Sequence, residues 1–160
     1  MNHKIKTAIW RSMLDADMNA RYWKYLAYRY MARDKGLRVG LAALATGTVG
    51  AWFKWEEIEA LWKLLSAASA VIAIALPYLD YPRKIESMSA LAGAWGSLRM
   101  DYEDLWTKVE KDSDLPLAEE NFRELRKTTA MLQEKEIGLP HREALLKKCQ
   151  GEVKKARGLD

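Results

Sequence analysis

The chain has 160 residues, 26 Lys+Arg against 22 Asp+Glu and a formal net charge of +4, a length for one compact unit and a charge too small for a polycation. One Cys (Cys149) and two His (His3, His141) exclude an internal disulfide framework and a cysteine-rich zinc site. The mean hydropathy of −0.32 reads as soluble, but only five of the 48 charges fall between Val39 and Leu79, all of them within Lys54–Lys63.

In chain order, the first element is an amphipathic helix. Ile9, Met13, Ala16, Ala20, Trp23, Ala27 and Tyr30 follow a 4-3-4-3-4-3 spacing, a heptad seam, with Arg11, Arg21, Lys24, Arg29 and Arg33 on other faces. The basic side suits anionic lipid headgroups; a nucleic-acid backbone is the alternative, with no recognition motif to support it. The helix leads into an uncharged block, Val39–Phe53, which reaches 17 residues with Leu37 and a snorkelling Arg38. That length spans roughly 25 Å. A second block, Leu64–Leu79, is uncharged for 16 residues.

Two such blocks around a polar turn predict a transmembrane hairpin. Trp52, Phe53, Trp55 and Trp62 would border it at the outer interface, with Tyr78 and Tyr81 at the inner one. Nine Lys/Arg precede Val39 and Arg83 and Lys84 follow Leu79, so both termini are expected in the cytoplasm. The N-terminus lacks the apolar core and cleavage site of a signal peptide. Small residues recur at four-residue spacing, Gly36–Gly40, Ala43–Gly47–Ala51, Ser66–Ala70 and Ser69–Ala73, a pattern that permits close helix approach in lipid. Together with Thr46, Thr48 and Gly50 these are the packing or pore-lining candidates. Hydroxyls bonding back to the preceding turn are the competing reading for Thr46, Thr48, Ser66 and Ser69.

Beyond Pro77 and Pro82 a long helix is expected, with Ile85, Met88, Ala92, Trp95, Leu98, Tyr102, Leu105 and Val109 as its seam. Asp112–Pro116 breaks it. A third cytoplasmic helix, about Pro116–Glu136, carries Ala118, Phe122, Leu125, Thr129 and Leu132 and ends at Gly138. The last, about Pro140–Ala156, places Leu145, Leu146, Cys149 and Val153 on one side. The expected fold is thus all-α: an amphipathic helix over residues 1–36, a two-transmembrane hairpin over 37–79, and C-terminal helices over 80–160 packed as a coiled-coil-like bundle. Ile9, Met13, Trp23, Tyr30, Met88, Trp95, Tyr102 and Leu105 are the candidate seam for oligomers.

No phosphate-cradling loop, nucleophile elbow, His-Glu-x-x-His helix or paired-cysteine motif is present. Cys149 reads as packing, and His141 as a surface residue or local cap. Asp101/Glu103/Asp104 and Glu119/Glu120 read as solvated faces. No enzyme activity, cofactor, metal or small-molecule substrate is expected, which leaves the lipid bilayer and partner proteins.

The run Ala20-Arg21-Tyr22, then Arg29, Arg33 and Asp34, two short apolar blocks, Tyr81-Pro82-Arg83-Lys84, and Ala90, Ala94 and Leu98 resemble the SLATT family over about Asn19–Trp106. Ser87-Met88-Ser89 stands where a histidine of that pattern would be. The resemblance implies a two-transmembrane effector of bacterial antiphage defence, in the inner membrane, that oligomerises and permeabilises it to cause growth arrest. It further implies control by a sensor or regulatory protein of a defence operon, such as a cyclic-nucleotide system or a reverse transcriptase with its nucleic acid. A single two-span hairpin cannot enclose an aqueous path, so a homo-oligomer would be required. A non-toxic membrane anchor recruiting a partner through its cytoplasmic helices is the rival reading, and a soluble helical bundle the third.

Overall fold

The structure, a computed structural model, describes the backbone of residues 2–51, 59–111 and 115–159, and the side chains of 3–44, 63–111 and 116–159. Five α-helices and no strand occur among the described residues: α1 (Asn2–Ala51), α2 (Glu59–Leu79), α3 (Tyr81–Glu110), α4 (Leu115–Lys135) and α5 (Glu143–Ala156). Contacts divide the chain into two compact units, Met1–Leu26 with Ser87–Asp160, and Ala27–Glu86. The division falls inside α1 and inside α3, whereas the apolar composition changes at residues 37 and 79.

The first unit is built on heptad-spaced faces. On α3 the buried residues are Met88, Leu91, Trp95, Leu98, Tyr102, Leu105 and Val109, a strict alternation of three and four. Leu91 takes the place that the sequence reading gave to Ala92, because the larger side chain can reach the core from the same turn. Ile9, Met13, Ala16, Tyr22, Trp23 and Leu26 of α1 meet this stripe, with Ala118 and Leu132 of α4 and Leu145, Cys149 and Val153 of α5. Full burial of each large apolar side chain contributes about 1.5–3 kcal/mol. This core takes up most of the expected oligomer seam. Ile9, Met13, Trp23, Met88, Trp95, Tyr102 and Leu105 are all buried within a single chain, so a second copy could reach them only by opening the bundle.

Gly138, at φ +86°, turns the chain after α4, where an l-residue with a Cβ would be strained. The turn is closed by the Leu139 N–H donating to the Glu136 carbonyl at 3.1 Å. Helix α5 starts at Glu143 rather than at Pro140. The Tyr22 hydroxyl explains the delay: it accepts from the Arg142 N–H at 2.9 Å and donates to the Pro140 carbonyl at 3.5 Å, holding residues 140–142 outside the helix.

In the second unit, α2 runs through Pro77 to Leu79 and ends at Asp80, the one non-glycine residue with positive φ (47°) among the described residues. Aspartate tolerates this left-handed conformation better than most side chains. The Lys84 ammonium caps the helix end by donating to the Leu79 carbonyl at 2.9 Å. The rings of Tyr30 and Tyr81 lie 5.7 Å apart and join α1 to the start of α3.

Candidate functional site

The apolar residues of α2 point outward. Leu64, Val71 and Ile74 are 66–69% exposed and Tyr78 is 85% exposed. Within Lys63–Glu110 an 18-residue window has mean hydropathy 1.6 and none of it is buried, which makes one helix among the described residues long and apolar enough to cross a membrane. A core helix of a water-soluble bundle meets the same length and composition but hides its apolar face, whereas here the face is open.

Most of the described small residues of this unit are exposed as well. Ala43, Ser66, Ala70 and Ala73 are exposed and Ser69 is half-buried, and an added Cβ at Gly36 or Gly40 would meet nothing within 4 Å. The Ser69 hydroxyl donates to the Ser66 carbonyl at 2.9 Å, a bond to the preceding turn. Thr46, Gly47, Thr48, Gly50, Ala51, Trp52, Trp55 and Trp62 lie outside the residues whose side chains are described. Tyr78 and Tyr81 fall at the end of α2 and the start of α3. Arg29, Arg33 and Arg83 are exposed, and the Arg33 guanidinium sits 5.9 Å from the Tyr30 ring centre. Asp34 is engaged by Arg38 at 2.9 Å.

The first unit holds a polar knot that the sequence reading missed. The indole N–H groups of Trp23 and Trp95 both donate to one oxygen of Glu136, at 2.6 and 2.8 Å. These residues lie on α1, on α3 and just past α4, so one carboxylate ties three segments. Both tryptophans are seam residues in the sequence pattern, but nothing local to Glu136 distinguishes it from the surface-like glutamates of α4 that precede it. A second tie runs from the Tyr102 hydroxyl to the Thr129 hydroxyl at 2.9 Å, and a third from the Tyr25 hydroxyl to the Glu152 carboxylate at 3.0 Å. Asp17 is buried and paired with Arg21 at 2.9 Å, within one helix turn.

Such ties hold helices together; none sets a nucleophile beside a base. Cys149 is fully buried, and burial pushes its thiol up, away from the thiolate that reactivity requires. His141 is exposed, and its ring lies 6.0 Å from that of Tyr22. Among the described residues no group of three or more His, Cys, Asp or Glu could hold a metal ion. A shallow recess of about 290 Å³ is lined by His3, Lys6, Thr7, Trp10 and Trp106. No family model, curated protein or solved structure matches the chain.

Proposed function

We propose that the protein is an effector of bacterial antiphage defence that inserts in the inner membrane as a two-span hairpin, oligomerises there and permeabilises the bilayer. The observation that carries the membrane part is the outward-facing apolar surface of α2, which water would solvate poorly and lipid would not. Residues 39–53 supply the other span in this reading, and the excess of Lys/Arg before Val39 keeps both termini cytoplasmic. The effector part rests on the resemblance to the SLATT family over about Asn19–Trp106. Because most of the heptad seam is buried inside each chain, this reading places contacts between copies at the small residues Ala43, Gly47, Ala70 and Ala73, which recur at helical spacing.

That same closed bundle favours a second reading, a membrane anchor whose cytoplasmic helices recruit a partner without toxicity. Induced expression of the full chain in a bacterium, with a potential-sensitive dye, separates the two. An effector collapses the potential and arrests growth, and Gly47→Leu, by forcing the small faces apart, relieves both. Harmless accumulation in the membrane would favour the anchor, and depolarisation undiminished by Gly47→Leu would remove this face from the assembly.

A further inference from the structure

We propose that the outer face of α5 in one copy of the chain lies in the groove between α3 and α4 of the next, joining copies head to tail. The inference rests on the assembly reading above and adds a contact within the first unit, to which both faces belong. The groove is a recess of about 260 Å³ in which Leu105, buried, and Leu125, half-buried, form an apolar floor. Asp101 and Asp104 line it from α3 and Glu124 from α4, with Lys108 at one end. The three acids are exposed. Asp101 and Asp104 have no ion-pair partner among the described residues, and the pairing of Glu124 with Lys127 at 2.7 Å is an exposed one, of a kind that contributes little. The chain's own α5 is packed on the other side of α3. Its end is held at Glu103, which accepts from the Arg157 guanidinium at 3.3 Å, and Glu103 stands about 200° round the helix from Asp101.

The occupant is read from α5. With Leu145, Cys149 and Val153 turned into the core, the opposite face carries Ala144 and Gly151, one heptad apart. Lys147 and Lys154 flank them on one side and Lys148 and Lys155 on the other, and all six are exposed. A Cβ added at Gly151 would meet nothing within 4 Å. Packing inside the chain therefore does not call for glycine there, although glycine is a poor residue for a helix interior; close approach by another backbone does call for it. Lys154 and Lys155 have no partner among the described residues, and Lys147 and Lys148 pair with Glu143 and Glu152 of α5 itself, at 3.0 and 3.7 Å. Each lysine row spans about 10 Å along the axis, the length of the α3 wall from Asp101 to Lys108. A smooth helix edged by lysines thus fits an apolar-floored, acid-walled groove. A nucleic-acid backbone would answer the lysine rows alone and leave that groove without a role. Because the two faces differ, the contact is heterologous, and copies joined by it form a ring when it closes.

The test uses the full chain, with two differently tagged copies purified together in detergent. One carries Asn121→Cys in the groove and the other Gly151→Cys on α5; Cys149 stays in place, being buried. A mild oxidant should link the two copies. Asp101→Lys with Asp104→Lys in the first copy should lower the linked yield about tenfold. Adding Lys154→Glu with Lys155→Glu in the second copy should restore it, a rescue that an unrelated partner cannot give. Glu119→Lys, exposed on the other side of α4, should change nothing, and circular dichroism should show unaltered helix in every variant. Absence of the link in a chain that sediments as an oligomer, a link indifferent to the first reversal, or failure of the second to rescue it overturns this contact and leaves the assembly reading intact. A link abolished by nuclease treatment also overturns it, in favour of nucleic acid on the lysine rows. Sedimentation as a monomer with no link overturns the assembly reading, and the contact with it.

Discussion

Two indole N–H groups converging on one Glu136 oxygen leave little tolerance for change at that residue. Glu136→Ala strands two donors in the core of the first unit, each worth about 1–3 kcal/mol when unsatisfied. Glu136→Gln keeps an acceptor and should lose less than half as much. Urea unfolding followed by tryptophan fluorescence measures both, and an alanine variant as stable as the parent would dismiss the knot as incidental. Titration supplies a second residue-scale expectation. Burial raises the Cys149 thiol and the Tyr22 phenol above their ordinary values. The folded chain thus holds both protons more tightly than the unfolded chain does. The associated stability is complete below the ordinary thiol and phenol values and is lost as pH rises through them and past the raised ones. Thermal unfolding between neutral and strongly alkaline pH should show that decline, diminished in Tyr22→Phe, and iodoacetamide should modify Cys149 only after denaturant is added. Cys149 was legible as a packing residue from its helical neighbours Leu145 and Val153. Glu136 was not, because its partners stand 113 and 41 residues away, and sequence spacing says nothing about which helices meet.

The helices were the most legible level. Periods of three and four run through α1, α3, α4 and α5 because each must present one apolar face to a shared core. The register slip from Ala92 to Leu91, and the late start of α5, came from tertiary contacts that override a local pattern. Arg142 shows the second effect clearly: it is the N-cap of α5, with an extended backbone and no side-chain capping bond. Serine there could accept from the first turn without disturbing the Arg142 N–H bond to Tyr22, which belongs to the main chain. Arg142→Ser should stabilise the first unit by about 1 kcal/mol. A lower midpoint in chemical unfolding would show that the arginine side chain holds something the backbone bond does not.

For the molecule as a whole, the small net charge and modest mean hydropathy conceal a division between a closed helical bundle and a segment whose apolar side chains face outward. Composition by segment made that division legible; which residues close on one another within the bundle could not be read the same way. Ile74→Asp probes the division, since Ile74 is 69% exposed. On a water-facing helix the change should stay within about 0.5 kcal/mol. At the centre of a spanning helix it should oppose insertion by about 2.5–3.5 kcal/mol, visible as a shift from the membrane pellet to the supernatant on fractionation. An unchanged distribution in the pellet would place this face away from lipid. The joint at Asp80 carries one more consequence. A linker of one residue can redirect the chain but cannot lengthen it, since Leu79 and Tyr81 stay within about 7 Å of each other whatever dihedrals Asp80 adopts. The Asp80 N–H bonds back to the Pro77 carbonyl and the Asp80 carbonyl accepts from the Lys84 N–H, so in a bilayer this link without slack would keep Tyr78 and Tyr81 close in depth.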